Sequence, residues 1–552
     1  MAAGRLALGT QKAWRVWPLH DLVTFRRMES RQHRSDPERL LIVGWDGADW
    51  DVLDPLMRDG YLPTLRAMTQ EGLRGDLAST IPFHSWSAWS SFLTGMNPGR
   101  HGVYDFVEVD PRDPRRRIPI SSDSIKVPTF LERLSAAGQE VRAGNVPVTF
   151  PPFSVNGRLI SGVAIPPGFE FVHPPGWARE LERRAPFPIN GMEWMGFSDR
   201  PEALVAEAKD LEERRTDSFL AMLEGNWTVA ICVYVAPDRL QHPFARYLIG
   251  SHPDYERLSG SPLAGSIRDV YGSLDRHLDR LRSAAGRNAT TIVMSDHGFR
   301  PVTRRVNPNA LLVELGFQSM MRGAKVKTSL LKSSAGRALA RTRAGRLAKR
   351  KVRAPSVIDW SRTIAYQSGS GFGVSVNLVG REPKGVVPPA EFEGTRDEVR
   401  AAIISFEDPE TGSSPVRAVW CREELYEGPA AQLAPDLIIE WNDLWDYLDF
   451  GSLSTAVDWP SGDHRREGIL AAAGGRTVRG NVGVRSIADV AATALAYCGV
   501  SPTGLDGRPI TEISGDTVEE QTVEVPARES QTLGDGDEES IVQHLRGLGY
   551  IE

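Results

Sequence analysis

LLIVGWDGADW, residues 40–50, is an apolar run that leads directly to an acidic residue, Asp46. Two later stretches repeat this pattern, VAICVYVAPDRLQH at 229–242 and TTIVMSDHGF at 290–299. Apolar runs of this length that are rich in β-branched residues are typical of strands buried on both faces of a parallel sheet. The aspartate of each stretch is therefore expected just past the carboxyl end of a strand, at the edge where open α/β sheets bind ligands.

Histidines accompany two of these aspartates. His242 follows Asp238 by four positions, which on a helical turn places both side chains on one face. His297 follows Asp296 directly, and a further histidine, His464, stands in the motif SGDHRREG. Carboxylate oxygens and imidazole nitrogens together suit zinc or manganese, and no cysteine is near enough in sequence to suggest a structural zinc knuckle. The pattern indicates a hydrolase with two metal ions.

From Arg39 onward, apolar strands alternate regularly with amphipathic helices. This alternation predicts a doubly wound α/β domain, with a mostly parallel sheet and helices on both faces. The expected strands are 40–45, 140–146, 228–235, 290–295, 374–379 and 435–440. The expected helices are 62–71, 129–137, 201–223, 265–284 and 486–498, the first of them closed by Gly72.

Both ends of the chain differ from this domain. Residues 1–37 are basic and lack the apolar segment of an export signal, so we expect a disordered extension or a misassigned start, with Met28 as the alternative start. Residues 513–552 form an acidic, polar tail that closes with a short amphipathic helix. The catalytic domain is expected at 38–512.

One segment interrupts the domain at about 315–358. It contains no acidic residue but many basic ones, all between 322 and 353. We interpret it as an inserted helical segment. Such charge runs are usually solvated surface helices, and the alternative is that 322–353 contacts an anionic substrate or an anionic surface.

Composition narrows the class of protein. The formal net charge is -6, which gives no reason to expect nucleic acid as the main partner. No apolar run is long enough for a transmembrane helix. The 3 cysteines lie in apolar stretches, so buried thiols in a reducing compartment are expected rather than a disulfide framework. We therefore expect a cytoplasmic protein that acts on a small molecule.

The stretch STIPFHSWSAWSSFLTGMNPGRHGVYDF, residues 79–106, carries the second chemical feature. Ser85 opens the helix-like segment within it. A serine at a helix N-terminus is often only a cap, but coordination to a dication would activate its hydroxyl as a nucleophile without a general base. The residues of this stretch alone leave both roles open.

Asp46, the Ser85 segment with TGMNPGRHG, and the motifs APDRLQH, SDHG and GDHRREG occur in one order along the chain. In that order they resemble the alkaline phosphatase superfamily, in particular its type I phosphodiesterase/nucleotide pyrophosphatase-like branch and predicted phosphohydrolase/phosphomutase proteins. The resemblance spans about 38–512 and includes SIADVAATALAYCGVSPTGLDGRPI, which looks like the superfamily's last helix and strand. It implies an alkaline phosphatase-like fold.

The resemblance also implies a site with two divalent ions, zinc or manganese. The implied ligands are Asp238, His242 and His464 for one ion and Asp46, Asp296 and His297 for the other. Ser85 would lie between the ions and attack phosphorus, giving a phosphoseryl intermediate and net retention of configuration. The implied substrate is a small phosphorylated molecule, in the first place a phosphodiester or a nucleotide-like compound.

The sequence departs from the nucleotide pyrophosphatase pattern next to Ser85. Phe106 stands where those enzymes carry a phosphate-binding asparagine, and Ser85-Trp86-Ser87 replaces their Thr-x-Pro. Four residues are candidates to bind the phosphate instead, although each also suits packing or turns: His84, Asn97, Arg100 and His101. A phosphomonoesterase or phosphomutase is therefore the alternative function.

Two further functions are less favoured. A sulfatase needs Pro or Ala two positions after its nucleophile and Arg four positions after it, whereas this chain has Ser87 and Trp89 there. A catalytically silent binding protein would usually have lost ligands, and none of the six is missing here.

Overall fold

The computed structural model describes most of the chain, namely residues 38–109, 117–166, 168–189, 191–321, 358–448, 452–515, 521–528 and 535–548. The predicted N-terminal extension at 1–37 lies outside these ranges. Nearly all of the predicted basic insertion, at 322–357, also lies outside them. The hypotheses about these two segments therefore stay predictions.

Nineteen strands occur in the described ranges. In chain order they are β1 Leu40–Trp45, β2 Leu73–Ala78, β3 Val107–Val109, β4 Arg117–Pro119, β5 Val141–Val146, β6 Gly157–Ser161, β7 Val172–His173, β8 Val229–Tyr234, β9 Thr290–Met294, β10 Gly298–Val306, β11 Ala365–Gln367, β12 Gly373–Val376, β13 Val416–Cys421, β14 Leu437–Trp441, β15 Leu444–Tyr447, β16 Ser454–Ala456, β17 Gly462–Arg465, β18 Glu467–Ala473 and β19 Gly480–Ser486.

The α-helices of the same ranges vary in length from one turn to 24 residues. They are α1 Trp50–Arg58, α2 Pro63–Glu71, α3 Ser85–Thr94, α4 Pro98–His101, α5 Phe130–Ala136, α6 Pro175–Arg184, α7 Pro201–Met222, α8 Ala236–Leu248, α9 Tyr255–Leu258, α10 Pro262–Ala285, α11 Pro308–Glu314, α12 Phe392–Ile404, α13 Arg422–Leu425, α14 Ile487–Tyr497, α15 Thr511–Ser514 and α16 Asp535–Gly547. No helix in the described ranges is long and apolar enough to cross a membrane.

A nine-stranded sheet forms the centre of the fold, in the order β19-β2-β18-β9-β1-β8-β5-β6-β7. β1 lies in its middle and pairs in parallel with β8 and with β9. All 6 residues of β1 are buried, as the continuous apolar run predicted. β18 and β7 run antiparallel to their neighbours. The predicted mostly parallel sheet flanked by helices is confirmed.

The sheet brings the three sequence stretches together, because β1, β8 and β9 are adjacent and point in the same direction. Their carboxyl ends meet at one edge, and each strand leads there to one of the aspartates. The predicted strands and helices agree with the observed ones to within a few residues. α2 ends at Gly72, as expected.

Two of the expected strands belong to a different sheet. Residues 374–379 and 435–440 correspond to β12 and β14, which pair in a four-stranded antiparallel sheet of order β11-β12-β14-β13. This sheet has a hydrophobic core of its own, which we call the second core and which includes Val374, Val419 and Leu437. Placing both strands in the main alternation was wrong, because a short apolar run looks the same whichever sheet buries it.

The predicted C-terminal helix is present as α16. Its apolar residues Ile541 and Leu545, and Leu548 just after it, are buried in the core of the nine-stranded sheet. His544 Nδ1 lies 3.1 Å from Glu193 Oε1, so the helix also contacts the segment that precedes α7. The strand expected after α14 is not formed in the described part of the chain, where turns and α15 follow instead.

Val43 and Val484 offer a matched test of the sheet core. Val43 in the central strand is fully buried, whereas Val484 on the edge strand β19 is 62% exposed. We expect Val43→Ala to lower the free energy of unfolding by about 2 kcal/mol or more, because two buried methyl groups are lost and a cavity remains. Val484→Ala should cost less than about 1 kcal/mol. Urea unfolding measures both, and equal losses would contradict the assignment of β1 to the centre.

Candidate active site

Ser85 is the first residue of α3 and is fully buried. Ile81 and Phe83, just before it, belong to the second core, whereas Trp86, just after it, belongs to the core of the nine-stranded sheet. The side chain of His84, at the N-cap position, makes no capping hydrogen bond to α3. Ser85 is therefore held at the junction of two cores, at a helix N-terminus whose N-cap side chain, His84, makes no capping hydrogen bond.

Three side chains that we call the first group converge beside Ser85, namely Asp238, His242 and His464. Asp238 Oδ1 lies 3.4 Å from Nε2 of His242 and 3.2 Å from Nε2 of His464. The two Nε2 atoms lie 3.1 Å apart. Asp238 and His242 stand one turn apart on α8, and His464 comes from β17. Asp238 comes four residues after the end of β8, so it lies in the first helical turn rather than directly after the strand.

The second group consists of Asp46, Asp296 and His297. Asp46 follows β1 directly, and Asp296 comes two residues after the end of β9. His297 Nε2 lies 3.3 Å from Asp296 Oδ2 and 3.8 Å from Asp46 Oδ1. Within each group, one candidate ligand atom per residue lies within 4.8 Å of the other two.

The two groups are adjacent, and Ser85 touches the second. Ser85 Oγ lies 3.2 Å from Nε2 of His297. The His297 ring stacks on the ring of His464, with 3.7 Å between the ring centroids. The structure thus brings together all six side chains that the sequence singled out as metal ligands, around the one hydroxyl that it singled out as a nucleophile.

All three histidines use Nδ1 in the same way. Each Nδ1 lies against a backbone carbonyl oxygen, which can only accept a hydrogen bond, so Nδ1 carries the proton. The acceptors for His242, His464 and His297 are the carbonyls of Gly462, Phe83 and Gly298, at 3.2, 3.2 and 3.1 Å. In the neutral form of each ring, Nε2 therefore directs a lone pair into the site. This is the arrangement that metal-binding histidines adopt in proteins.

The charges of the site also fit a bound cation. Burial raises the pKa of Asp46 well above its ordinary value, and the carboxylates of Asp296 and Asp238 add to this effect. Burial likewise raises the pKa of Asp296 to about 7. Asp46 Oδ1 and Asp296 Oδ2 are buried and accept no hydrogen bond from any described residue. Several carboxylates in one buried volume repel each other unless a positive ion compensates them.

Two further contacts hold Asp46 and the backbone after it. The indole Nε1 of Trp89 donates a hydrogen bond of 2.9 Å to Asp46 Oδ2. Gly47 has a φ of +68°, and a Cβ there would lie 3.1 Å from Cα of Asp238. The close approach of the two ligand segments thus requires glycine at position 47.

The four candidate phosphate-binding residues differ in where the structure places them. His84 adjoins Ser85, and its Nε2 donates to the carbonyl of Tyr104 at 2.6 Å. Asn97 and Arg100 bind Asp506 instead, at 2.8 and 2.9 Å between side chains. His101 is buried with Nε2 2.8 Å from Ser91 Oγ, and burial lowers its pKa to about 3.

Phe106 packs on both neighbours of the candidate nucleophile. Its ring centroid lies 4.7 Å from that of His84 and 4.9 Å from that of Trp86. The side chain that stands in place of asparagine therefore forms an apolar wall beside Ser85.

Two residues near the first group went unrecognised in the sequence. Trp194 stacks on His242 with 5.1 Å between ring centroids and 19° between the planes. Glu212 Oε1 accepts from the backbone N–H groups of Val235 and Ala236, at 3.1 and 2.9 Å, at the beginning of α8. Neither residue stands in a motif. The only local indication in the sequence was a glutamate in the middle of the long helix α7, and the structure shows that it is buried.

Known proteins share the family and the fold of this chain. The family model of type I phosphodiesterase / nucleotide pyrophosphatase matches residues 40–464. A crystal structure of phosphonoacetate hydrolase from Sinorhizobium meliloti 1021 in complex with phosphonoacetate is similar, with a TM-score of 0.50 and 16% identity over 79% of this chain and 89% of that one. Murine ectonucleotide pyrophosphatase / phosphodiesterase 5 gives a TM-score of 0.48 and 15% identity over 85% and 97%. No curated protein sequence matches the chain.

Proposed function

This chain belongs to the type I phosphodiesterase / nucleotide pyrophosphatase family of the alkaline phosphatase superfamily and is a phosphoric ester hydrolase, and we propose that it uses two divalent metal ions with Ser85 as its nucleophile. The observation that carries the proposal is the set of three Nε2 lone pairs. In the neutral tautomer with its proton on Nδ1, those of His242 and His464 face each other across 3.1 Å. Such an arrangement is repulsive unless a cation lies between the lone pairs.

The first and second groups fit one ion each. The donors are carboxylate oxygens and neutral imidazole nitrogens only, a set that suits zinc or manganese. When bound, the ions supply positive charge to the hydroxyl of Ser85 and to the leaving oxygen of the substrate.

Ser85 forms the new bond in this proposal. Its Oγ attacks the phosphorus in line, the ester oxygen on the opposite side departs, and a phosphoseryl group results. Water then breaks the bond between serine and phosphorus in a second in-line step, so two inversions give net retention. The N-terminus of α3, to which the N-cap side chain makes no hydrogen bond, supports this role, because its N–H groups and its dipole favour the negative charge of a phosphoryl group.

For the substrate, we propose a small phosphodiester or nucleotide-like compound, in keeping with the family. One observation favours the alternative, a phosphomonoesterase or phosphomutase. Phe106 places an apolar ring beside Ser85, where a diesterase of this family would offer an amide to a phosphate oxygen. We also propose that the protein acts in the cytoplasm, since Cys232, Cys421 and Cys498 are all free thiols.

The proposed ligands can be tested by metal analysis. We expect Asp296→Asn and His464→Ala each to lower the bound metal and the activity, with partial recovery in excess zinc or manganese, because each change removes one donor from one group. EDTA should inactivate the wild-type protein. His173→Gln, which changes a histidine outside both groups, should leave the metal content unchanged. Wild-type stoichiometry by elemental analysis in both ligand variants would contradict the assignment.

The nucleophile has a matched control on the same helix. We expect Ser85→Ala to lower kcat by about 1000-fold or more while the metal content stays near wild type, since the bond to phosphorus can no longer form. Ser91, whose Oγ lies beside His101, should tolerate alanine with a change of less than about fivefold in kcat. A Ser85→Ala enzyme that keeps turnover within about tenfold of wild type would exclude serine as the nucleophile.

Two chromogenic esters distinguish a phosphodiesterase from a phosphomonoesterase. We expect kcat/KM to be higher for bis(p-nitrophenyl) phosphate than for p-nitrophenyl phosphate, and both activities to disappear together in Ser85→Ala. A preference for the monoester would replace the diesterase proposal by the phosphomonoesterase alternative.

A further inference from the structure

Arg300 is a buried arginine whose side chain contacts the backbone of His464, a member of the first group. It lies on β10, three residues after His297, and only 4% of it is exposed. A guanidinium group is costly to bury unless its N–H groups are satisfied. The hydrogen-bond acceptors around Arg300 therefore indicate the role of its side chain.

In the described part of the chain, the hydrogen bonds of this guanidinium group go to β17, to β15 and to the turn before β15. Nε donates to the carbonyl of His464 at 2.8 Å. Nη2 lies 3.3 Å from Oδ2 of Asp463, with which Arg300 forms an ion pair. Nη1 donates to the carbonyls of Asn442, at 2.8 Å, and of Trp445. One side chain thus joins the backbone of a proposed ligand to the region of the second core.

His464 is the proposed ligand with the least support from regular structure. Asp238 and His242 share α8, which has 13 residues. The ligands of the second group follow the central strands β1 and β9. His464, by contrast, stands on β17, which has 4 residues and pairs only with β10 among the described strands. So short a strand does not fix the direction of a side chain by itself.

Two contacts together set the direction of the His464 lone pair. The carbonyl of Phe83 accepts the Nδ1 proton and orients the ring, and Arg300 holds the backbone of the same residue. The carboxylate of Asp463 compensates the charge of Arg300, so that the guanidinium group does not repel a nearby cation. Substitution of a residue that contacts a metal ligand, but not the metal itself, commonly changes metal affinity by 10- to 100-fold.

We propose that Arg300 is the positioning residue for the metal ion held by Asp238, His242 and His464. This inference rests on the proposed function, since it requires a metal at the first group. Lysine cannot replace arginine here. The carbonyls and the carboxylate lie on different sides of the planar guanidinium group, and one ammonium group cannot reach all of them. Among the described residues, the hydrogen bonds of Arg300 reach His464 but no residue of the second group. We therefore expect Arg300→Lys to affect metal binding at the first group only.

The test measures each group separately, by calorimetric titration of the metal-free full-length protein with Zn²⁺ or Mn²⁺ alone. The background Asp46→Ala/Asp296→Ala leaves only the first group intact, and the background Asp238→Ala/His242→Ala leaves only the second. Arg300→Lys is introduced into both. Arg304→Lys is the matched control, because Arg304 lies on the same strand and contacts Glu410 and Ser454 instead of β17.

We expect Arg300→Lys to weaken binding to the first group by about 10- to 100-fold and to leave the second group within about threefold. Arg304→Lys should change neither affinity. Thermal unfolding checks that each variant is folded. If Arg300→Lys is not folded, Arg300→Gln is used as the second variant.

Four results would count against the proposal. Wild-type affinity at the first group in a folded Arg300 variant would overturn it, and so would equal weakening of both groups. If neither single-group background binds metal and the wild type binds none either, the proposed function fails together with this inference. Two bound ions in the wild type with an unaffected Arg300 variant would remove only the role of Arg300.

Discussion

The structure is organised around buried negative charge that the described part of the chain neutralises only in part. Arg239 Nη1 lies 3.8 Å from Asp238 Oδ2, whereas Asp46 Oδ1 and Asp296 Oδ2 accept no hydrogen bond from a described residue. Asp46, Asp238 and Asp296 project into one buried volume, and three imidazole rings direct lone pairs into it. Folding has to bring these groups together against their mutual repulsion, and central strands that are fully buried hold the segments that carry them. Two bound cations, as we propose, would turn this repulsion into attraction and add their binding free energy to the stability of the folded protein.

The position of Ser85 depends on the contact between two hydrophobic cores. The residues just before Ser85 pack in the second core, and those just after it pack against the nine-stranded sheet. A shift of one core relative to the other would therefore move the hydroxyl relative to both proposed metal groups. Phe83 contributes to this arrangement twice, because its ring packs in the second core and its carbonyl accepts the Nδ1 proton of His464.

Local patterns in the sequence predicted the parts of the fold that depend on neighbouring residues. The apolar runs at β1, β8 and β9 predicted the central sheet, and the four-residue spacing of Asp238 and His242 predicted a shared helix face. The roles of Arg300 and Trp194 could not be predicted in this way, because their partners lie far along the chain. The contact of Asn97 and Arg100 with Asp506 could not be predicted for the same reason, since Asp506 lies about 400 residues away, and their role as phosphate ligands stays a prediction.

The first group is assembled from parts of the chain that are synthesised at different times. Asp238 and His464 are 226 residues apart, and a ribosome needs on the order of 10–45 s to translate that distance. During this interval Asp238 and His242 have left the ribosome, but the third member of their group does not yet exist. An ion cannot be held by all three residues until β17 has been made and has paired with β10. If this group holds an ion, as we propose, all three ligands are present only after β1, β8 and β9 have been synthesised.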